Sequence, residues 1–204
     1  MIGIVDYGVG NVRAIENIYR KLNIPTLRIT QSEDLDGVTK IILPGVGAFD
    51  HAMSKLNESG LREALNHSVL KLKVHVLGIC VGMQVMADSS EEGMLLGLGW
   101  IPGKVRRFDI DKINNFTKIP HMGWNEITHK DNELFKSVDS NSGFYFLHSY
   151  FFDAKCEESI VARAFYNHEF DCAVNVDNVF AVQFHPEKSH DNGIQLFKNF
   201  WNMK

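Results

Sequence analysis

The fold is decided by the stretch Val74-His75-Val76-Leu77-Gly78-Ile79-Cys80-Val81-Gly82-Met83-Gln84. Its first part is rich in β-branched and aliphatic residues, which is typical of a buried strand, and the part after Cys80 is compatible with a helix. A sharp turn from strand to helix lifts the residue at the junction above the sheet. Gly78 and Gly82 leave room there because they lack a Cβ atom. The stretch therefore predicts a nucleophile elbow with Cys80 at its tip.

Cys80 has two interpretations at this stage. A lone cysteine in a cytosolic protein is often a buried structural thiol. At an elbow it would instead be a nucleophile, because the backbone N–H of Val81 points out of the N-terminus of the new helix. Partial positive charge at that position favours a thiolate and can stabilise an oxyanion.

A second motif, Val179-Phe180-Ala181-Val182-Gln183-Phe184-His185-Pro186-Glu187, favours the nucleophile. It is typical of a buried strand, which we expect to end at Pro186 because proline fixes φ and lacks an N–H. Residues two apart on an extended chain face the same side, so we expect His185 beside Glu187. His185 would then exchange a proton with Cys80 while Glu187 holds the imidazole tautomer.

Strand-like and helix-like segments alternate around the elbow, which implies parallel βαβ units. In the first half we predict strands at 2–6, 26–29, 39–43 and 74–79, and helices near 11–22, 48–57, 59–71 and 81–87. After about residue 100 we predict shorter strands near 103–108, 123–127, 144–147, 159–165, 171–176 and 179–184, and a final helix from about 190 to 203. The pattern predicts an α/β fold with a mixed sheet, in one domain over residues 1–204.

Composition excludes several classes of function. The formal charge of −4, from 21 basic and 25 acidic residues, offers no basic patch for nucleic acid. The apolar run at 1–5 is short and meets Asp6 at once, so we expect a first strand and not a signal peptide. No run approaches the ~20 apolar residues that a membrane span needs. We therefore expect a cytoplasmic protein with no membrane partner.

The cysteines and histidines do not have the spacing of a metal site or a disulfide framework. Three cysteines without Cys-x-x-Cys spacing argue against both. The histidines also lack HExxH-like spacing and a carboxylate cluster. We therefore predict that His121, His148 and His190 bind no metal, and we predict no cofactor.

Two glycine-containing loops follow predicted strands. The loop Pro44-Gly45-Val46-Gly47 could make a simple turn or cradle phosphate. In a doubly wound sheet ligands bind beyond the carboxyl ends of the strands, so we expect this loop and Cys80 to converge on one cleft. The loop Gly8-Val9-Gly10 resembles the start of a dinucleotide fingerprint, but Arg13 replaces its third glycine, which disfavours nucleotide binding.

Together, the motifs around Cys80 and His185 resemble the class I glutamine amidotransferase family. Further blocks extend the resemblance over nearly the whole chain, at 44–49, 120–125, 144–150 and 183–189. The resemblance implies a flavodoxin-like open twisted mixed sheet flanked by helices. It also implies a glutaminase with a Cys80, His185 and Glu187 triad.

The resemblance implies roles for further residues. The oxyanion hole would use backbone N–H groups of Val81 and of Val46 or Gly47. Substrate contacts would fall on Gly45, Gln84, Glu92, Ser149 and Tyr150, and partner contacts on Asn11, Trp124, Tyr145 and Lys188. Without the resemblance, Gln84 and Glu92 could be solvated helix residues, Ser149 and Tyr150 could serve strand-end packing, and Trp124 could belong to the core.

The implied function is hydrolysis of glutamine to glutamate and ammonia. A single domain of this size leaves no room for an acceptor site, so we expect ammonia to pass to a (β/α)₈-barrel cyclase subunit in a heterodimer. That cyclase would close an imidazole ring in histidine biosynthesis, which makes the assembled enzyme a lyase. The segments 165–170 and 189–193 depart from the expected pattern and resemble paralogues that supply ammonia for surface-polysaccharide sugar amidation. A cysteine hydrolase without ammonia transfer, or a catalytically silent binding module, remains a different class of function.

Overall fold

A mixed β-sheet flanked by helices forms the framework of the structure, a computed structural model that describes residues 1–109, 118–139 and 142–204. The first half of the chain provides β1 (Ile2–Val5), α1 (Val12–Lys21), β2 (Thr26–Ile29), β3 (Lys40–Gly45), α2 (Phe49–Glu58), α3 (Leu61–Asn66), β4 (His75–Cys80) and α4 (Val81–Gln84). Strands β2, β1, β3 and β4 lie side by side in that order and are parallel. The predicted α/β fold is confirmed.

The second half of the chain is rich in strands, as predicted. It provides β5 (Ser89–Ser90), β6 (Gly103–Arg107), β7 (His121–Asn125), β8 (Ile127–His129), β9 (Phe144–His148), β10 (Tyr150–Ala154), β11 (Ile160–Tyr166), β12 (His168–Val176), β13 (Val179–Val182) and α5 (His190–Asn202). Strand β13 pairs with β4 in parallel, and β12, β10 and β6 extend the sheet in antiparallel pairs. Strands β7 and β9 form a separate antiparallel pair beside it.

Apolar patterning explains why the sheet is covered on both faces. Every residue of β1, β3 and β13 is buried, as expected for strands between two layers of helices. Helix α1 buries Val12, Ile15 and Tyr19 on one face. This packing fixes the carboxyl ends of β3 and β4 side by side, and Gly45 is the register partner of Cys80. The predicted convergence of the glycine loop and the cysteine is confirmed.

Some predicted boundaries were wrong. Helix α4 ends at Gln84, not near residue 87, because the N–H groups of Met86 and Ala87 donate three residues back, to the carbonyls of Met83 and Gln84, and not four. A later segment then occupies the next two carbonyl groups, so the helix does not resume. The N–H of Leu98 donates to the carbonyl of Val85, and the N–H of Ile101 donates to that of Met86. Strand β13 ends at Val182, two residues before the predicted end, and the short strands β5 and β10 were not predicted.

Candidate active site

The elbow at Cys80 has the backbone conformation that its position requires. Cys80 has a φ of 55° and a ψ of −113°, in a region that non-glycine residues rarely adopt and that is typical of functional sites. Strand β3 lies directly against the turn, and a Cβ atom on Gly82 would clash with the carbonyl oxygen of Leu43. Glycine at this position therefore lets the strained turn pack on β3 while the sulfur stays at the sheet edge.

A cavity of about 340 Å³ opens beside Cys80 and His185. Its walls contain most of the predicted site residues, namely Asn11, Val46, Gly47, Val81, Gln84, Glu92, Ser149, Tyr150 and Lys188. Gly45, Glu187, Trp124 and Tyr145 lie outside its walls. The tertiary fold thus brings segments from both halves of the chain around one candidate nucleophile.

His185 and Glu187 form a buried pair behind the cysteine. The Nδ1 atom of His185 lies 2.8 Å from Oε1 of Glu187, and the two side chains are 3% and 2% exposed. The expected pairing is present, but its predicted cause, an extended backbone, was wrong. Residues Pro186–Lys188 form a 3₁₀ turn in which the N–H of Lys188 donates to the carbonyl of His185 at 3.0 Å. The turn, not the strand, brings the carboxylate back to the imidazole.

The electrostatics of this pair favour a protonated imidazole. Burial of His185 opposes its positive charge, but hydrogen bonds and charge interactions with Cys80 and Glu187 outweigh burial and raise the pKa of His185 to about 10. Burial also opposes the charge of Glu187, yet hydrogen bonds from His185 and Asn11 hold the pKa of its carboxyl below the usual value. The arrangement can hold a proton next to the cysteine sulfur and deliver it to a leaving group.

Asn11 has a role that the sequence did not indicate. Its Nδ2 donates to Oε1 of Glu187 at 2.8 Å, so the carboxylate oxygen accepts from both Asn11 and His185. Asn11 is also the N-cap residue of α1, but its side chain makes no capping hydrogen bond there. Among the described residues, Oε2 of Glu187 is the buried side-chain oxygen with no partner. Asn11 therefore adds a second hydrogen bond to the same carboxylate oxygen that pairs with His185.

A glutamine and a histidine meet at the backbone carbonyl of Tyr150. Nε2 of Gln84 donates to this oxygen and to Oε1 of Gln183, both at 3.0 Å, and Nδ1 of His148 lies 2.8 Å from the same carbonyl. The pKa of His148 is lowered to about 3, mainly by burial and by the neighbouring His121. A neutral imidazole therefore faces the carbonyl. The sequence alone did not single out Gln183, and it considered His148 only as a metal ligand.

Glu92 extends into the cavity from the opposite side. Its Oε2 accepts a hydrogen bond from the backbone N–H of Phe49 at 2.8 Å, at the first residue of α2. An anionic group is favoured there by the helix dipole. The side chain is therefore held at the cavity wall, where a positively charged substrate group could reach it.

The comparisons with known proteins agree with this geometry. The family model described as "Glutamine amidotransferase class-I" matches residues 4–203. The chain belongs to this family. Two curated relatives named "Imidazole glycerol phosphate synthase subunit HisH" are 55% identical (Bdellovibrio bacteriovorus) and 50% identical (Leptospira interrogans), each over 98% of both chains. A solved structure titled "Crystal structure of glutamine amidotransferase" shares the fold, with a TM-score of 0.75, 20% identity and coverage of 98% of this chain and 96% of that one.

This glutamine amidotransferase carries an exposed apolar sheet face next to its cavity. Met122 and Trp124 on β7 are 66% and 50% exposed, and Leu147 on β9 is also exposed. The ring of Trp124 lies edge-on to Tyr145, and the ammonium of Lys188 lies 5.5 Å from the centre of the Tyr145 ring. Three of the four predicted partner contacts therefore cluster on one surface, which we call the β7–β9 face; the fourth, Asn11, lies in the cavity wall.

The described part of the chain contains neither a candidate metal cluster nor a candidate membrane-spanning helix. Within residues 1–109, 118–139 and 142–204, no group of three or more histidine, cysteine, aspartate or glutamate side chains could hold a metal ion. No helix in these same ranges is long and apolar enough to cross a membrane.

Proposed function

We propose that this chain is the glutaminase subunit of an imidazole glycerol phosphate synthase. It hydrolyses glutamine to glutamate and ammonia and passes the ammonia to a cytoplasmic cyclase subunit, a (β/α)₈ barrel. The cyclase uses it to make imidazole glycerol phosphate and an aminoimidazole carboxamide ribotide in histidine biosynthesis, so the assembled enzyme acts as a lyase. The observation that carries the proposal is Cys80 on a strained elbow, facing one cavity with the His185 and Glu187 pair behind it. Both relatives described above carry the synthase name, which favours this acceptor over a surface sugar.

Hydrolysis proceeds in two halves. The Cys80 thiolate attacks the γ-carboxamide carbon of glutamine, and the resulting oxyanion collapses as the C–N bond breaks and His185 gives its proton to the nitrogen that leaves as ammonia. The neutral His185 then takes a proton from water, whose oxygen attacks the thioester. Glutamate leaves and the thiolate is restored. Glu187 acts throughout by orienting the imidazole and stabilising its positive charge.

The oxyanion is stabilised by backbone donors on two sides of the cavity. Val81 is the first residue of α4, so its N–H has no partner within the helix. Val46 and Gly47 lie on the loop after β3, and Gly47 has a φ of 87°, which favours glycine. The loss of one such donor typically costs about 2.7–4 kcal/mol of transition-state stabilisation. The tyrosine hydroxyl of Tyr7, which donates to the carbonyl of Pro44 at 2.9 Å, anchors the base of this loop.

Substrate recognition follows from the polar groups on the cavity wall. The Glu92 carboxylate would pair with the α-amino group of glutamine, and Ser149 and Tyr150 would flank the substrate beside Gly45 and the oxyanion loop. Gln84 lies at the same wall, but its Nε2 already serves Tyr150 and Gln183. Its contact with substrate would therefore use the other end of the amide.

The β7–β9 face is the proposed docking surface for the cyclase subunit. Exposed Met122 and Trp124 are aromatic or flexible apolar groups of the kind that anchor protein interfaces. Leu147 and Lys188 belong both to this surface and to the cavity wall, so a partner seated here would cover the exit for ammonia. A heterodimer across this face would keep ammonia out of solvent.

The test separates the glutaminase role from the synthase as a whole. In the assembled complex, Cys80→Ala should abolish synthesis with glutamine as the nitrogen source and leave synthesis with added ammonium intact. Cys156→Ala, at an exposed cysteine far along the chain, is the matched control and should keep both activities. Equal loss of both activities in Cys80→Ala would overturn the assigned role.

A further inference from the structure

The sulfur of Cys80 has a hydrogen-bond donor that the mechanism above does not use. Nε2 of Gln183 lies 3.7 Å from Sγ, within the range of hydrogen bonds to sulfur. The carbonyl oxygen of Leu147 lies 3.9 Å from the same atom and can accept from a thiol but not bind a thiolate. Gln183 follows the last residue of β13 and its exposure is 0%. The thiolate thus has one neutral donor that is held entirely inside the protein.

The direction of this hydrogen bond is fixed by a chain of partners. A backbone carbonyl only accepts, so the end of Gln84 that faces Tyr150 must be its Nε2. The same Nε2 donates to Gln183, so the end of Gln183 that faces it must be Oε1. The other end of the Gln183 amide, which faces Cys80, is therefore the N–H₂ group. A flip of the Gln84 amide would leave its oxygen facing the carbonyl oxygen of Tyr150, and a flip of the Gln183 amide would leave two amide nitrogens facing each other.

From this chain we propose that Gln183 is a further catalytic residue, whose N–H stabilises the Cys80 thiolate, and that Gln84 is a positioning residue that holds Gln183 in the required orientation. Hydrogen bonding to the charged form of a group favours that form. The donor sits on a rigid strand end and needs no rearrangement when the thiolate forms or is restored. The inference deepens the proposed function, on which it rests for the reaction.

Simple packing does not account for this arrangement. A buried amide with unpaired groups is destabilising, and an apolar residue of similar volume would fill the site without that requirement. Each polar end of Gln183 instead meets a partner that the fold provides. The groups that set the charge around the sulfur lie on every neighbouring element, and they are His185, Glu187, Lys188, Tyr7, His148 and Glu92.

The first test measures the ionisation of Cys80 directly. In a Cys156→Ser background, which removes the exposed thiol, the rate of alkylation by iodoacetamide is followed against pH. Gln183→Met keeps the approximate volume and removes the donor. Loss of a hydrogen bond to a charged group should move the midpoint of the profile about one to two pH units upward. The kcat for glutamine should fall about 10- to 100-fold at neutral pH while KM changes little. An unchanged alkylation profile in the folded variant would overturn the proposal.

Two companion experiments cover the case in which Gln183→Met does not fold. Gln183→Glu keeps an oxygen that accepts from Gln84 and replaces the N–H₂ group at the sulfur with a second oxygen. It should therefore move the alkylation midpoint upward at least as far as Gln183→Met does. In the protein with Gln183 and Gln84 unchanged, the ¹⁵N-edited NMR resonances of the Gln183 side-chain amide should shift with pH, with the same midpoint as the alkylation of Cys80. This pH-dependent shift should be lost in Cys80→Ala. A resonance that does not respond to Cys80 would refute the contact.

The alkylation and NMR measurements are independent of the acceptor and of glutamine turnover. If the isolated chain and its complex released no glutamate, the proposed function would fail while the alkylation and NMR results would still report on Gln183. If glutamate were released normally by Gln183→Met, the further inference would fail and the proposed function would stand.

Discussion

The hydrogen bond from Asn11 to Glu187 provides a sharp prediction, because two interpretations of Asn11 give opposite results. Its Nδ2 lies 2.8 Å from Oε1 of a carboxylate that is 2% exposed. A hydrogen bond to a charged group contributes about 1.5–3 kcal/mol. Asn11 borders the cavity, so water can replace part of the lost interaction in Asn11→Ala. We therefore expect kcat for glutamine hydrolysis in the complex to fall about 10-fold, the lower end of that range.

Asn11→Asp distinguishes this anchoring role from helix capping. Aspartate is as good an N-cap residue as asparagine, so a capping role predicts an active variant. The aspartate would place a second negative charge next to the Glu187 carboxylate, in place of the Asn11 hydrogen-bond donor. We therefore expect a larger loss of kcat than in Asn11→Ala. Asn17→Ala, an exposed site on the same helix, is the control and should leave kcat unchanged.

The assay is glutamate release at saturating glutamine, with partner affinity measured in parallel. The affinity matters because Asn11 is also a predicted partner contact. A normal kcat in Asn11→Ala, or an Asn11→Asp variant as active as the unsubstituted protein, would refute the anchoring role. A loss confined to partner affinity would leave only the interface role.

Three further predictions concern the triad and the docking surface. Glu187→Gln should reduce glutaminase kcat by less than Cys80→Ala does, because Glu187 orients and does not attack; equal losses in steady-state assays would contradict this. The raised pKa of His185 means that its contribution to stability is full below about pH 6.5 and is lost as pH rises through about 10. Urea unfolding should therefore show a smaller decline over that window in His185→Gln, and parallel profiles would show that His185 does not cause the decline. Trp124→Ala should weaken binding to the cyclase subunit about 30-fold, the effect of losing ~2 kcal/mol at an interface hot spot, as measured by calorimetry. Leu72→Ala, at an exposed apolar site away from this face, should bind normally.

The parts of the site that the sequence predicted are those whose signal is local. The elbow at Cys80 depends on a few consecutive residues, and so does the pairing of His185 with Glu187, although a 3₁₀ turn and not a strand brings them together. The approach of the glycine loop to Cys80 followed from the rule that parallel strands share one edge for their carboxyl ends. Short-range pattern and general topology were sufficient for these features.

The parts that the sequence did not predict depend on long-range contacts. Asn11 meets Glu187 across 176 positions, and Gln183 meets Cys80 across 103. Neither contact produces a periodic pattern in the sequence. A single polar residue gives the same sequence signal whether it caps a helix, packs in the core or binds another side chain. The path of the chain after α4 has a similar cause, since the carbonyl of Val85 accepts from the distant N–H of Leu98 and the helix does not resume there. Tertiary hydrogen bonds decided these positions over local propensity.

The most direct test of the central claim is glutamate release from glutamine by the purified chain. Glutamate release is measured for the chain alone and for the chain with the (β/α)₈-barrel cyclase subunit and its ribonucleotide substrate. We expect the barrel subunit with its ribonucleotide to stimulate glutamate release strongly and Cys80→Ala to eliminate that release. Glutaminase activity that does not respond to that barrel would contradict the assigned acceptor, and absence of glutamate under every condition would contradict the glutaminase assignment itself.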